Sequence, residues 1–516
     1  MNKNTIRMGV LLVPSIIFIA VIIIGLIDEA GFVAISTSLF EQLMWNMGWL
    51  VSLTMLVFII FVLVIIFHPI GRVRFGGKNA KPTLSYWQWF ALALASGIGS
   101  GIVFWGAVEP VLFAMQPAPS LNLQPGSNEA VIWAMRTTFM HWTFTPYAIY
   151  VTFGLILAYV IHNMKKPFNV GSGLIPLLGD KVEKYKIGSI VDILVVFALT
   201  GGVAGSLGFG VMQITQGSNI VFGTQPNSTT VMLIVIALIV TTYMISSLTG
   251  LKKGILLLSR YNTWLYFFIV VFFLIFGPTA YILNLFTQSL GSFFGNFIEG
   301  MTFTAPFPDS ELWPQWWDMF WWVDWLSFGP LMGLFFAKLC YGRTLREFVI
   351  INWLLPASFG FMWFSAFGGT ALYAQFFGGI DYYQIYLTYG AEAMTLATFQ
   401  STPFTPIMQP IMVFVITLSF ITLADSMVST ISSMSVKSNN SNEQAEAPAF
   451  LKLFWGLLIA GTALIFTFAA GIDGIRMVKT FAGFPIVFVG LAMVFGFIKY
   501  VRTKPRDEFG RYIEKD

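Results

Sequence analysis

The sequence predicts an all-α membrane protein of about twelve transmembrane helices. Three observations carry that prediction. Hydrophobic residues fill 57% of the 516 positions and charged residues only 10%, far outside a soluble globular composition. Apolar windows of roughly 20 residues, the length that crosses a bilayer as a helix, recur along the whole chain. Lys and Arg gather in alternate connecting segments, as a fixed membrane topology requires.

The windows fall near 8–27, 47–67, 87–115, 130–162, 187–217, 230–249, 254–286, 314–340, 344–375, 405–434, 450–471 and 476–501. The first follows the leader MNKNTIR and lacks a small-residue cleavage site, so it reads as a retained span rather than a signal peptide. Windows three to five and seven to ten are longer than a bilayer needs, which implies tilt, bends or extensions. Connections after the even-numbered windows carry Arg72, Arg74, Lys78 and Lys81; Lys165, Lys166, Lys181, Lys184 and Lys186; Lys252 and Lys253; Arg343; and Lys437. The intervening connections carry acids such as Asp28, Glu29, Asp309, Glu311 and Asp381. That asymmetry places both termini in the cytoplasm, and an odd number of spans would destroy it. Two outward segments, about 287–305 and 383–400, are partly apolar and are expected to form short surface helices.

Composition also excludes several function classes. The net charge of +4 is spread over membrane edges rather than gathered in a patch, so nucleic acid is not an expected partner. With Cys340 as the one cysteine, no intramolecular disulfide can form. Three histidines and one cysteine cannot assemble a zinc-type cluster. An enzyme would need a nucleophile–base set or a metal cluster, and neither is evident.

Function-bearing signals lie inside the spans. The third contains Gly97, Gly99 and Gly101 in SGIGSGIVFWG. Gly97 and Gly101 form a GxxxG pair that close helix packing would also explain. The eighth is expected to be interrupted at Ser327–Phe328–Gly329–Pro330. These two spans open two candidate five-helix halves, and interrupted segments at corresponding positions point to a transporter's midplane site. In the fourth span, Trp142, Tyr147 and Tyr150 share one broad face of a regular helix, with Pro146 expected to bend it. Six of the seventeen tryptophans fall in LWPQWWDMFWWVDW, between Trp313 and Trp325. Trp313, Trp316 and Trp317 read as membrane-interface residues, whereas Trp325 sits inside its span, with Trp321 and Trp322 as supporting wall. Ionisable residues within spans are functional candidates, here Glu109, Arg136, Asp192, Arg260, Asp324 and Asp425. Arg136 and Arg260 lie near span ends and can snorkel. His141 reads as a hydrogen-bonded packing residue.

GIGSGIVFWGAVEP (97–110), MRTTFMHWTFTPYAIY (135–150), WWDMFWWVDW through GRTLREF (316–348) and LADS (423–426) together resemble the betaine/carnitine/choline transporter family over nearly the whole chain. The resemblance implies two inverted five-helix repeats preceded by two extra helices, and a homotrimer. The expected organisation is an N-terminus with two peripheral helices (1–86), a first repeat (87–286), an outward surface segment (287–313), a second repeat (314–501) and a short tail (502–516). The resemblance also implies that Trp142, Tyr147, Tyr150 and Trp325 box a trimethylammonium group, with Gly97, Gly99 and Gly101 against the rest of the substrate. Asp324 and Phe328 stand where many members carry Trp. An acid there would favour a net-positive substrate such as choline, or would need its own cation or proton. Gly101 is what betaine carriers carry, so betaine, carnitine and choline all remain open. Ile98, Asn262 and Thr422 are the corresponding ion-coupling candidates, although Leu423 replaces a hydroxyl residue of sodium-coupled members. The expected activity is ion-coupled uptake, with sodium as a possible coupling ion and no other cofactor. Sodium-independent exchange, or an amino-acid carrier of the same architecture, is the alternative.

Overall fold

The computed structural model describes residues 6–97, 100–225, 228–249, 252–307, 310–437 and 446–504. Ile98 and Gly99 fall outside these, as does Asp309, and the side-chain surroundings of Gly97 and Arg260 are not described. Every apolar window corresponds to helix. In order these are α1 (Met8–Ile27), α2 (Glu29–Phe67), α3 (Tyr86–Gly97) with α4 (Ser100–Met115), α5 (Asn128–Trp142) with α6 (Phe144–His162), α7 (Ile187–Phe222), α8 (Thr229–Thr249) and α9 (Lys252–Phe276). There follow α10 (Thr279–Gly295), α11 (Phe320–Leu339), α12 (Leu355–Phe376), the short α13 (Tyr382–Tyr389) and α14 (Ala391–Ala397), α15 (Thr405–Met434), α16 (Ala449–Gly483) and α17 (Pro485–Arg502). By length and composition alone, seven helical stretches among the described residues suffice to cross a membrane, or eight with one bent pair. Among the described residues β-pairing is confined to two isolated bridges, Ile6 with Val436 and Arg74 with Thr344. This is an all-α, multi-span membrane protein.

Packing relates the two candidate halves. Helix α4 of the third span packs on α12 of the ninth, and α11 of the eighth packs on α6 of the fourth. Likewise α7 meets α11 as α15 meets α4, and α7 and α15 pack on each other. Exchanging the candidate halves leaves this set of pairings unchanged.

The breaks differ from expectation in three places. The seventh span ends at Phe276, ten residues early, because Gly277 and Pro278 turn the chain by 111° into α10. Pro278 has no N–H to continue the ladder. Of the expected surface helices, 287–305 holds the end of α10 and a short helix over Phe297–Met301, and 383–400 holds α13 and α14, of which α14 is buried rather than on the surface.

The eighth span is not interrupted at Ser327–Pro330, for α11 runs through Pro330 unbroken. Its glycines serve close packing instead. A Cβ on Gly333 would come within 2.7 Å of Phe153 Cβ on α6, and one on Gly329 within 2.9 Å of Ile149 Cγ2. The irregular turn of this span lies earlier, a π turn over Gln315–Met319.

The fourth span breaks outright at Thr143, whose φ of −120° and ψ of −109° are not helical. Pro146 sits in the first turn of α6, so the Trp142 carbonyl has no i+4 donor. Trp353 Nε1 donates to the neighbouring Phe144 carbonyl at 2.7 Å. A second break, at Ala470–Gly471, divides α16 and leaves residues 472–483 running toward α17.

Candidate functional site

The break at Thr143 decides how the aromatic residues meet. Trp142 is the last residue of α5, while Tyr147 and Tyr150 belong to α6, so a single helical wheel does not relate them. They converge on Trp325 of α11. Its ring centroid lies 5.7 Å from that of Trp142, 5.9 Å from Tyr147 and 5.3 Å from Tyr150, at interplanar angles of 75°, 55° and 60°. The Trp142 contact is edge-to-face and the two tyrosine contacts are tilted, geometries that leave ring faces free for another partner.

These rings border a cavity of about 630 Å³ walled by Gly101, Trp142, Tyr150, Trp321, Trp325 and Phe328, together with Asp324 and Lys479. Its lining, mostly rings and other apolar side chains with one charged pair, suits a small organic ligand. Tyr147 touches Trp325 but stands behind the wall, with its hydroxyl buried and unpartnered among the described atoms. Gly101 holds its place for a steric reason: a Cβ there would lie 2.9 Å from Trp142 Cη2. A side chain at 101 would therefore push the Trp142 indole out of the cage.

Trp142 is fixed from behind by a buried polar chain. Its Nε1 donates to Glu109 Oε2 at 2.9 Å, and the same oxygen is 3.1 Å from His141 Nδ1. His141 Nε2 lies 2.7 Å from Asp318 Oδ1 in the π turn. His141 is thus hydrogen-bonded on both ring nitrogens, between two carboxyl groups from different spans. Glu109 was a candidate by its charge, whereas Asp318, the second carboxyl on His141, gave no local sign.

The tryptophan run is not an interface belt. Trp313 is buried, and a chain of ring contacts leads inward from Trp313 to Trp317 (6.2 Å), Trp105 (5.6 Å), Trp321 (5.3 Å) and Trp142 (4.6 Å). Trp316 lies against Phe40 of α2. Arg476 stacks over Trp317 at 3.9 Å and pairs with Asp473 at 3.2 Å. Arg136 does not snorkel freely: it pairs with Glu299 at 3.6 Å above a cleft that reaches Asp318. Asp192 pairs with Arg7 at 2.6 Å.

Asp324, the acid beside the cage, has its own cation. Lys479, from the segment after the Ala470–Gly471 break, places Nζ 2.8 Å from both carboxylate oxygens. Of the two expectations at 324, a net-positive substrate or a cation of its own, the structure contains the second. Lys479 lies near the start of the last apolar window, where a lysine reads as a membrane-edge residue, and nothing in the local sequence pairs it with Asp324.

Of the ion-coupling candidates, Asn262 is buried and donates from Nδ2 to Ser419 Oγ at 2.7 Å. The Tyr266 hydroxyl lies 2.6 Å from the same oxygen. Asn262 Oδ1 has no partner among the described atoms. Thr422 joins this neighbourhood through Ser419, donating to its carbonyl and to that of Leu418. Neutral oxygens in this number suit a monovalent hard cation better than a transition metal.

Fold and site together define a multi-span membrane transporter with an aromatic pocket between its two halves. The profile of the BCCT, betaine/carnitine/choline family transporter, matches residues 9–506, and the chain belongs to that family. It is 32% identical over 498 residues to a probable glycine betaine transporter of Desulfitobacterium hafniense, covering 96% of this chain and 97% of that one. It is 31% identical to the ectoine/hydroxyectoine transporter of Virgibacillus pantothenticus, covering 97% of each. It is 33% identical to the glycine betaine transporter OpuD of Bacillus subtilis, covering 92% of this chain and 90% of that protein.

Proposed function

We propose that this chain takes up a betaine-type quaternary ammonium compound across the cell membrane by ion-coupled alternating access. The observation that carries this reading is the convergence of Trp142, Tyr147 and Tyr150 on Trp325 beside a 630 Å³ cavity. A trimethylammonium group cannot donate hydrogen bonds, so ring quadrupoles are the means by which a protein holds it, at about 0.5–2 kcal/mol per ring. The relatives named as glycine betaine transporters support the betaine class. Substrate enters from outside, settles in the cage, and rocking of one helix set against the other exposes it inward.

Sodium is the proposed coupling ion, bound in the Asn262–Ser419–Tyr266 neighbourhood, where Asn262 Oδ1 is an unused acceptor. The distribution of Lys and Arg supports cytoplasmic termini. A homotrimer is the proposed assembly, on family resemblance.

Uptake into proteoliposomes tests the reading, with labelled glycine betaine, ectoine, carnitine and choline, each with and without a sodium gradient. Sodium-driven betaine uptake is expected. Uptake that ignores sodium but needs internal substrate would replace symport by exchange, and uptake of primary amino acids alone would overturn the cage assignment.

A further inference from the structure

The Asp324–Lys479 pair is an anomaly that the cage does not absorb. Two full charges sit in the wall of an apolar cavity, with side chains only 10% and 4% exposed. Such a pair costs desolvation, and as stability alone it is commonly no better than apolar residues of the same volume. Its placement has been made deliberately roomy. The Lys479 stem lies against Gly205 of α7, where a Cβ would come within 2.7 Å of Lys479 Cε. The ammonium has Phe209 at 5.2 Å and Phe328 at 5.9 Å, and Asp324 lies within electrostatic reach of Tyr150. Cage and ion pair therefore border one space.

We infer that Lys479 is the carboxylate-reading residue of this transporter, and that the pair selects net-neutral zwitterions over net cations. The inference rests on the quaternary-ammonium reading above and extends it. An ammonium has three N–H donors. Asp324 takes two, at 2.8 Å each, and Lys479 has no other hydrogen-bond partner among the described residues. The third is free for a ligand oxygen. A betaine with its methyl groups among Trp142, Tyr150 and Trp325 carries its carboxylate one methylene away, and Lys479 is the cation on that wall.

Charge accounting gives the selectivity. Asp324 and Lys479 sum to zero, so the wall has no net charge to attract a cation. A zwitterion completes an alternating set of charges, each beside its opposite. Choline brings one uncompensated positive charge into a low-dielectric space and approaches the Lys479 ammonium with no anion of its own.

The experiment uses the full-length protein in detergent, with equilibrium binding of labelled glycine betaine and of choline read as a ratio of Kd values. The variants are Lys479→Met, Asp324→Asn and the double Asp324→Asn/Lys479→Met. Lys479→Met removes a charge-assisted hydrogen bond to the carboxylate and leaves Asp324 bare. Betaine should weaken about 10- to 100-fold while choline tightens, so that the preference collapses or inverts. Asp324→Asn should do the opposite, sparing betaine and abolishing choline. The double variant buries no charge, which keeps the test open if a single variant unfolds. It should bind both ligands through the rings alone, within about threefold of each other.

Equal shifts for both ligands in every variant would overturn the inference while leaving the cage intact. Wild-type protein that binds neither ligand would overturn the cage, and this inference with it.

Discussion

Replacing Trp325 with Ala removes the one ring that touches the other three of the cage. Trp325 is buried, so the cation–π contact sits at the upper end of its range, about 2 kcal/mol. At 1.4 kcal/mol per tenfold, that is roughly a 30-fold rise in Kd for glycine betaine. Three ring–ring contacts of about 0.5–1.5 kcal/mol each disappear as well, but they act on folding and should appear as a lower melting temperature. Trp325→Phe keeps a ring face at the same place and should cost no more than about fivefold. Isothermal titration of the purified protein measures both variants, with the melting transition as the control for folding. If Trp325→Ala bound betaine as tightly as wild type, the reasoning from ring convergence to substrate would be refuted.

Other substitutions follow from the same geometry. Gly101→Ala puts a Cβ 2.9 Å from Trp142 Cη2, so betaine Kd should rise at least about tenfold while the fold survives, as circular dichroism would verify. Glu109→Leu strips the acceptor from Trp142 Nε1 and one partner from His141; melting should drop by the equivalent of about 1–3 kcal/mol, and an unchanged melt would remove the polar chain from the account. Asn262→Ala should raise the sodium concentration for half-maximal uptake severalfold with little change in betaine Kd at saturating sodium; a normal sodium curve would remove Asn262 from coupling. Glu392, outside the spans on α14, is buried, and burial lifts its carboxyl from the ordinary 4.5 to about 7. Because the folded state holds that proton more tightly, stability is fully present below about pH 4.5 and falls as pH rises toward 7, by up to about 3 kcal/mol. Glu392→Gln should flatten that part of a melting-temperature profile, and a profile that keeps its slope would show the decline comes from elsewhere.

The membrane windows were legible because apolar length is a local property, and each of them corresponds to one or more helices. Trp142, Tyr150 and Trp325, which meet beside one cavity, drew notice for a related reason: aromatic residues deep in a span have few bland explanations. What failed was geometry that depends on breaks. A wheel drawn through Trp142 and Tyr147 assumes a continuous helix, whereas Pro146 starts a new one and the rings meet by convergence of two helices on a third. At Gly329 and Pro330 the error ran the other way, because packing of α6 against α11 accommodates a proline that looked disruptive. Asp324 drew notice from its sequence neighbours, but its meaning depends on Lys479, 155 positions away. Asp318 and His141 pair across two spans in the same way. Such partners are fixed by tertiary packing and leave no periodic trace.

The central claim is that ring quadrupoles hold a quaternary ammonium in this cage. The most direct test compares glycine betaine with its carbon isostere 3,3-dimethylbutanoate, in which a tert-butyl group of the same shape lacks the positive charge. Binding of both to the wild-type protein by titration calorimetry separates charge from shape. The account predicts that the isostere binds at least about 30-fold more weakly, the worth of the lost cation–π attraction. Equal affinity for the two would show that the pocket reads methyl groups alone, and would contradict it.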